Sequence, residues 1–144
     1  MPNQVIAIAC DHGGFDFKEI LKSDLEEMGF EVADLGCYDN SSVDYPDYAN
    51  KLADAIKDGT AERGVLVCGS GIGISIAANR HLHIRAALVH DALTARLCRE
   101  HNNANVIVLG GRTTGIAVGQ DCLKVFLNTE FEGDRHQRRI DKMS

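Results

Sequence analysis

The chain is 144 residues long, 44% hydrophobic and 25% charged, with a formal charge of -6 at pH 7. This size allows one substantial core and one domain, residues 1–144, and the composition excludes a disordered chain. The acidic balance argues against nucleic acid as a partner, and no apolar stretch is long enough to imply a membrane span or a membrane partner.

MPNQ leads straight into VIAIAC (5–10) and acidic Asp11, too little for a signal sequence. With five scattered cysteines (Cys10, Cys37, Cys68, Cys98, Cys122) and no C-x-x-C pair, the expectation is a cytoplasmic protein with reduced thiols. VIAIAC itself reads as a strand buried on both faces. Phe17, Ile20, Leu21, Leu25 and Met28 then recur at helical spacing, with Gly29 where a C-cap belongs. FEVADLG (30–36) reads as a second strand, CYDNSSVDYPDY (37–48) as a polar loop, and a helix is expected over 48–56. RGVLVCG (63–69) is a third strand, followed by a glycine turn and a small-residue helix over 74–79. IRAALVH (84–90) makes a fourth strand, 91–100 a helix, NVIVLGG (105–111) a fifth strand and 116–127 a helix. The charged tail FEGDRHQRRIDKMS is expected to be helical at its end.

Strands alternating with helices predict an α/β protein: a three-layer α/β/α, Rossmann-like fold with a five-stranded parallel sheet and a C-terminal helical tail. Ligands of such sheets sit beyond the carboxyl ends of the strands. There the chain places Cys10-Asp11-His12-Gly13-Gly14, Cys68-Gly69-Ser70-Gly71, His90-Asp91 and Gly110-Gly111-Arg112. The glycine turn is G-x-G-x-G (Gly69, Gly71, Gly73), whereas a dinucleotide fingerprint needs its third glycine where Ile74 stands. No Gly-Lys-Ser/Thr follows either, so an anion or oxyanion cradle at a helix start is the better reading.

Cys68 has two readings: a small hydrophobe closing a buried strand, or a thiol activated by the helix start that follows it. Cys10, Cys98 and Cys122 read as core, and Cys37 as a loop thiol without a role. Asp11 and His12 form a polar pair at the first strand end, serving as a helix cap or as ligand contacts. His101 either interacts with the end of its helix or does acid/base work. His81 and His83 read as surface residues. Without an H-x-x-x-H or a Cys/His cluster, no metal is expected. RHQRR (135–139) is the one dense basic patch; Arg135 and Arg139, four apart, share a face that is either solvated or suited to phosphate, with Arg112 adding charge.

Several motifs in one order match a known family: ACDHGG (9–14), DYPDYA (44–49), CGSGIGISIAANR (68–80), IRAA (84–87), REHNNANVIVLGGR (99–112) and EGDRHQRRI (132–140). Over essentially its whole length the chain resembles the type B ribose-5-phosphate isomerases, which share a superfamily with the subunits of galactose-6-phosphate isomerase. The resemblance implies an aldose–ketose isomerase that works through a cis-enediolate and needs no cofactor, neither metal nor nucleotide. It implies Cys68 as the base, with the turn Gly69, Ser70, Gly71, Ile72 and Gly73 around the developing oxyanion and Ser70 keeping a hydroxyl there. It implies His101 in ring opening, Asp11 and Asn102 on sugar hydroxyls, and Tyr45 lining the site. His12, Arg112, Arg135, His136 and Arg139 match phosphate-binding positions. Relatives that lack the cysteine use a carboxylate where Ile74 stands, which places this chain in the cysteine-using branch. The family is dimeric with a site shared between subunits, so a homodimer or dimer of dimers is expected. The alternatives are an isomerase of a six-carbon sugar phosphate, of the galactose 6-phosphate or allose 6-phosphate type, or a non-catalytic phosphate-binding module.

Overall fold

The computed structural model describes residues 4–143. Met1–Asn3, read above as a short lead into the first strand, and Ser144 lie outside the described residues. The strands are β1 (Val5–Cys10), β2 (Glu31–Asp34), β3 (Arg63–Cys68), β4 (Ala86–Leu88) and β5 (Val106–Gly110). The helices are α1 (Phe15–Glu27), α2 (Tyr45–Lys57), α3 (Ile72–Asn79), α4 (Ala92–Glu100), α5 (Ile116–Asn128) and α6 (Arg135–Asp141). All strand pairs are parallel, in the order β2-β1-β3-β5-β4.

The central strands are apolar on both sides because both sides are covered. Ile6, Ile8, Val65, Val67, Ile107 and Leu109 face α1, α4 and α5, where Leu21, Leu25, Leu123 and Phe126 complete one core. The alternate residues Ala7, Ala9, Leu66, Val106 and Val108 face α2 and α3, with Leu52 and Ile74. This is the three-layer α/β/α arrangement, and α6 supplies the helical tail. The switch in chain direction lies between β1 and β3: β2 is added on one side of β1, and β3 on the other.

Boundaries differ from expectation for local reasons. α2 begins at Tyr45, not at residue 48, because Asp44 occupies the N-cap position and Pro46 the first turn, where a missing N–H costs nothing. α3 begins at Ile72, two residues early, and β2 is four residues long. β4 is only three residues; at its start Asn105 Oδ1 accepts from the Arg85 amide at 2.8 Å, and Asn79 Oδ1 accepts from that of Ala86 at 2.8 Å on the outer edge. Cys37 stands in the loop after β2, as expected, but not at the surface. It is buried, its Sγ 3.7 Å from Cys10 Sγ, where the chain leaving β2 packs back on β1.

A buried charge ties α1 to the same place. Lys18 is fully buried, and its Nζ donates to Asp34 Oδ1 at 2.8 Å, Asp34 Oδ2 at 2.9 Å and the Cys37 carbonyl at 2.9 Å.

Candidate active site

The carboxyl edge of the sheet ends in three glycine-bearing loops, after β1, β3 and β5, whose backbones touch. The Gly111 amide donates to the Cys68 carbonyl and that of Arg112 to the Gly69 carbonyl, each at 2.8 Å. A Cβ on Gly111 would lie 2.5 Å from the Gly13 carbonyl oxygen, and one on Gly13 would lie 3.0 Å from the Gly69 nitrogen. Side chains at these positions would force the loops apart, so the sequence ACDHGG, CGSG and GGR is what lets them form one continuous surface.

Cys68 closes β3 and sits in that surface, 5% exposed. Its Sγ accepts from the Gly71 amide at 3.1 Å. Gly71 is the N-cap of α3 in the left-handed conformation, φ 78°. The contact holds the sulfur at the start of α3. The Ile72 amide donates to Ser70 Oγ at 3.1 Å, which leaves the Ser70 hydroxyl proton free to donate elsewhere. The amides of Gly69, Ser70 and Gly73 have no acceptor among the described residues. Of the turn expected to cradle an oxyanion, the Gly71 amide is therefore committed to the sulfur and that of Ile72 to Ser70 Oγ, and the other three are open.

The other thiols behave differently. Burial pushes Cys98 and Cys122 up to about 11, and burial together with the neighbouring Cys37 raises Cys10 further. These are inert core residues, as the sequence suggested.

Around Cys68 the same edge collects four more of the expected residues. Asp11, 7% exposed, accepts from the Gly13 amide at 2.9 Å and so caps a 3-10 turn at His12–Gly14. His12 Nδ1 accepts from the Val43 amide at 3.2 Å; the neutral ring then carries its proton on Nε2, a donor for an anionic oxygen. Arg112 lies over the Cys68 turn, its Cδ 3.6 Å from where a Gly69 Cβ would be. The Tyr45 ring occupies the space a Gly73 Cβ would take, 2.6 Å from Cζ, so this glycine admits the tyrosine to the first turn of α3. Half-exposed Ile72 stands beside it at the rim. His90 and Asp91 do no visible chemistry: Asp91 caps α4 through Thr94.

His101, Asn102, Arg135, His136 and Arg139 do not join this group. α4 runs back along the sheet, so His101, its C-cap, lies toward the amino edge. Gly64 pairs with Val106 near that edge and Cys68 with Gly110 at the other; four residue steps put the two ends about 13 Å apart. The five residues instead line a cavity of their own, of about 500 Å³, with Ile140 and Met143. In it the His101 and His136 rings stack, centroids 4.3 Å apart and planes 14° from parallel. His136 is 4% exposed. Burial first, then Arg135 and His101, hold it below the usual imidazole range. Its Nε2 has no hydrogen-bond partner among the described residues. The tail helix thus presents Arg135, His136 and Arg139 together, while Asn102 and His101 face them from the end of α4.

One chain therefore carries two separate candidate half-sites: a thiol, open backbone amides and the His12–Arg112 pair at the carboxyl edge, and a histidine–arginine cavity elsewhere. Glu132 was not singled out in the sequence, where it reads as one more charge in a polar tail. Its backbone amide donates to the Glu100 carbonyl at 3.1 Å, which pins it beside His101. The expectation of no metal rested on the absence of a local spacing; the fold brings ligand atoms of His101, Glu132 and His136 within 4.8 Å of one another. None of the described helices is long and apolar enough to cross a membrane.

Comparison with known proteins gives one consistent result. A family model described as Ribose/Galactose Isomerase matches residues 6–143. Ribose-5-phosphate isomerase B of Escherichia coli is 40% identical over 139 residues, covering 96% of this chain and 93% of that protein. A putative sugar phosphate isomerase of Bacillus subtilis is 46% identical over 140 residues, covering 96% of this chain and 94% of that protein. Among solved structures, a ribose 5-phosphate isomerase of Thermotoga maritima superposes with a TM-score of 0.96 at 49% identity, covering 99% of this chain and 98% of that one.

Proposed function

The chain belongs to the ribose/galactose isomerase family of aldose–ketose isomerases, and from that premise we propose that it interconverts ribose 5-phosphate and ribulose 5-phosphate. The observation that carries the reading is Cys68 itself. A thiol sulfur ends the central strand, accepts from the Gly71 amide, and has open amides of Gly69, Ser70 and Gly73 beside it.

In the forward direction Cys68 Sγ, as thiolate, removes the proton from carbon 2 of the open-chain aldose. The electron pair moves to the carbonyl oxygen on carbon 1, giving a cis-enediolate, and the open amides receive the negative charge. The thiol then returns a proton to carbon 1. The hydroxyl proton on oxygen 2 passes to oxygen 1, a transfer the free Ser70 hydroxyl is placed to relay, so no proton is gained or lost overall. Loss of one preorganised donor of this kind costs about 3 kcal/mol of barrier. Asp11 holds a sugar hydroxyl, and His12 Nε2 and Arg112 bind the phosphate at this edge.

Ring opening needs an acid/base, and His101 takes that role from a second copy of the chain. The partner copy also brings Asn102 to a sugar hydroxyl and Arg135, His136 and Arg139 to the phosphate. A two-fold dimer then has two complete sites, each built from both half-sites, whether or not dimers pair further. The proposed setting is the cytoplasm, where the five free thiols stay reduced.

The test is turnover of ribose 5-phosphate by the wild type, Cys68→Ala and His101→Ala, with galactose 6-phosphate and allose 6-phosphate alongside. Near-normal turnover by Cys68→Ala would remove the thiol from the mechanism. His101→Ala should lose far more on a ring-forming aldose than on one that cannot cyclise; equal losses would end its ring-opening role. Faster turnover of a six-carbon sugar would reassign the substrate and leave the chemistry intact.

A further inference from the structure

We propose that His101, Glu132 and His136 bind a zinc-type divalent transition metal, and that the bound metal inhibits the enzyme. Metal binding follows from the geometry of these three side chains; only the inhibition rests on the role proposed for His101.

The three donors come from two stretches of chain: His101 is the C-cap of α4, and Glu132 and His136 stand four residues apart, in the loop before α6 and in its first turn. Their ligand atoms lie within 4.8 Å of one another. Two imidazoles and one carboxylate make a donor set that zinc accepts, with water in the fourth position. Bonds of about 2.1 Å in a tetrahedron hold donors about 3.4 Å apart, so the cluster has to close by little more than 1 Å, and because an imidazole binds a metal in its ring plane, one of the two stacked rings has to turn out of the stack. The Glu132 side chain, 47% exposed, has the rotational freedom for the first, and His101, at the end of its helix, for the second. His136 Nε2 is the unexplained group: it is buried, without a hydrogen-bond partner, and 3.4 Å from Glu132 Oε1. A buried polar atom left unpaired carries a desolvation cost that a ligand removes.

The surroundings select the kind of metal. Arg135 and Arg139 line the same cavity and repel any dication, which the single carboxylate offsets only in part. Oxygen-seeking Mg²⁺ and Ca²⁺ gain little from imidazole and lose to that repulsion, whereas Zn²⁺, Ni²⁺ and Cu²⁺ are held by the nitrogens. A metal at this place takes the nitrogen that acid/base work by His101 requires and blocks the one through which His136 would donate to phosphate, so its inhibition is competitive with sugar phosphate.

The experiment titrates chelator-treated protein with Co²⁺, read by visible absorption, and with Zn²⁺, read by calorimetry. Binding is expected in the wild type and in Cys68→Ala, and weakened by at least about tenfold in Glu132→Gln and in His136→Ala, the low end of the loss seen for even an outer partner of a ligand. Mg²⁺ should give no heat. Unchanged Zn²⁺ affinity in both Glu132→Gln and His136→Ala, or no saturable binding at all, overturns the site. Zn²⁺ should also inhibit turnover, reversibly with chelator, and less in Glu132→Gln, which keeps wild-type activity without metal. Glu132-dependent binding with undisturbed turnover overturns the inhibition. A protein inactive on every sugar phosphate that still gives the Glu132-dependent Co²⁺ spectrum supports the site and overturns the isomerase reading instead.

Discussion

Mixing two crippled variants tests whether the half-sites of different chains combine. Cys68→Ala removes the proposed base from the carboxyl-edge half-site, a loss of about 10²- to 10⁴-fold for general-base catalysis. Arg139→Ala removes a guanidinium from the tail cavity. A hydrogen bond to a charged group is worth about 1.5–3 kcal/mol, which is about 10- to 100-fold in kcat/KM. Arg139 lines the cavity with His101, away from Cys68, so in the proposed dimer each complete site takes Cys68 from one chain and Arg139 from the other. In the heterodimer both lesions fall in the same site, and the second site is fully wild type. Random exchange makes about half of the dimers hybrid, and one of two sites in each is intact, so about one quarter of wild-type kcat/KM returns. The assay is turnover at low substrate after exchange of an equimolar mixture, with hybrid formation measured by native mass spectrometry. Activity no greater than the sum of the two unmixed variants, with hybrids present at about half, would refute the shared site.

Other expectations concern stability and thiol chemistry. Lys18→Met should destabilise by about 3–5 kcal/mol, because it leaves the carboxylate of Asp34 without its buried partner; on this chain length that is roughly 10 °C in Tm. Burial opposes the charge on both residues, and their hydrogen bonds outweigh it, holding Asp34 below and Lys18 above the ordinary values. The pair's contribution is therefore full between about pH 4 and pH 10. It fades in acid as Asp34 takes a proton and in strong alkali as Lys18 loses one. A Tm difference between wild type and Lys18→Met that stays constant down through the acid limb would contradict this assignment. Gly71→Ala places a Cβ 2.5 Å from Leu88 Cδ1 at a left-handed φ, a strain of about 1–3 kcal/mol, and moves the amide that holds Cys68. Both Tm and kcat should fall; unchanged kcat would mean that the Gly71–Cys68 contact does not matter to turnover. Mild alkylation followed by peptide mass analysis should modify Cys68 well before Cys98 or Cys122, whose thiols are pushed up to about 11; the reverse order would count against a reactive Cys68.

Much of the fold was legible because the core strands are apolar on both sides and the helices keep their 3.6-residue period. The misreadings have local causes. Asp44 and Pro46 mark the start of α2, but the polar stretch around them hid that signal. The bounds of β4 are marked by hydrogen bonds to Asn79 and Asn105, which no local pattern around 84–90 announces. Nothing in the order of segments reveals that β5 lies between β3 and β4. Lys18 and Cys37 are buried by a loop that folds back on α1, and a charge in an amphipathic helix gives no warning of that. At the site, the strand-end rule correctly grouped Asp11, His12, Cys68 and Arg112. It had no purchase on His101, Asn102 and the tail, since these stand away from the carboxyl edge. Motif resemblance named them, whereas sheet geometry did not join them.

The contact among the loops at Gly13, Gly69 and Gly111 also limits how such a protein can diverge. A surface made of main chain has no rotamers to change, and any side chain added there pushes neighbouring backbone apart. On the proposed reading, mutation alters the sugars accepted through side chains around this floor, Tyr45 among them, and not through the floor itself. The proton-transfer step would be inherited nearly unchanged, while substrate length drifts at the rim.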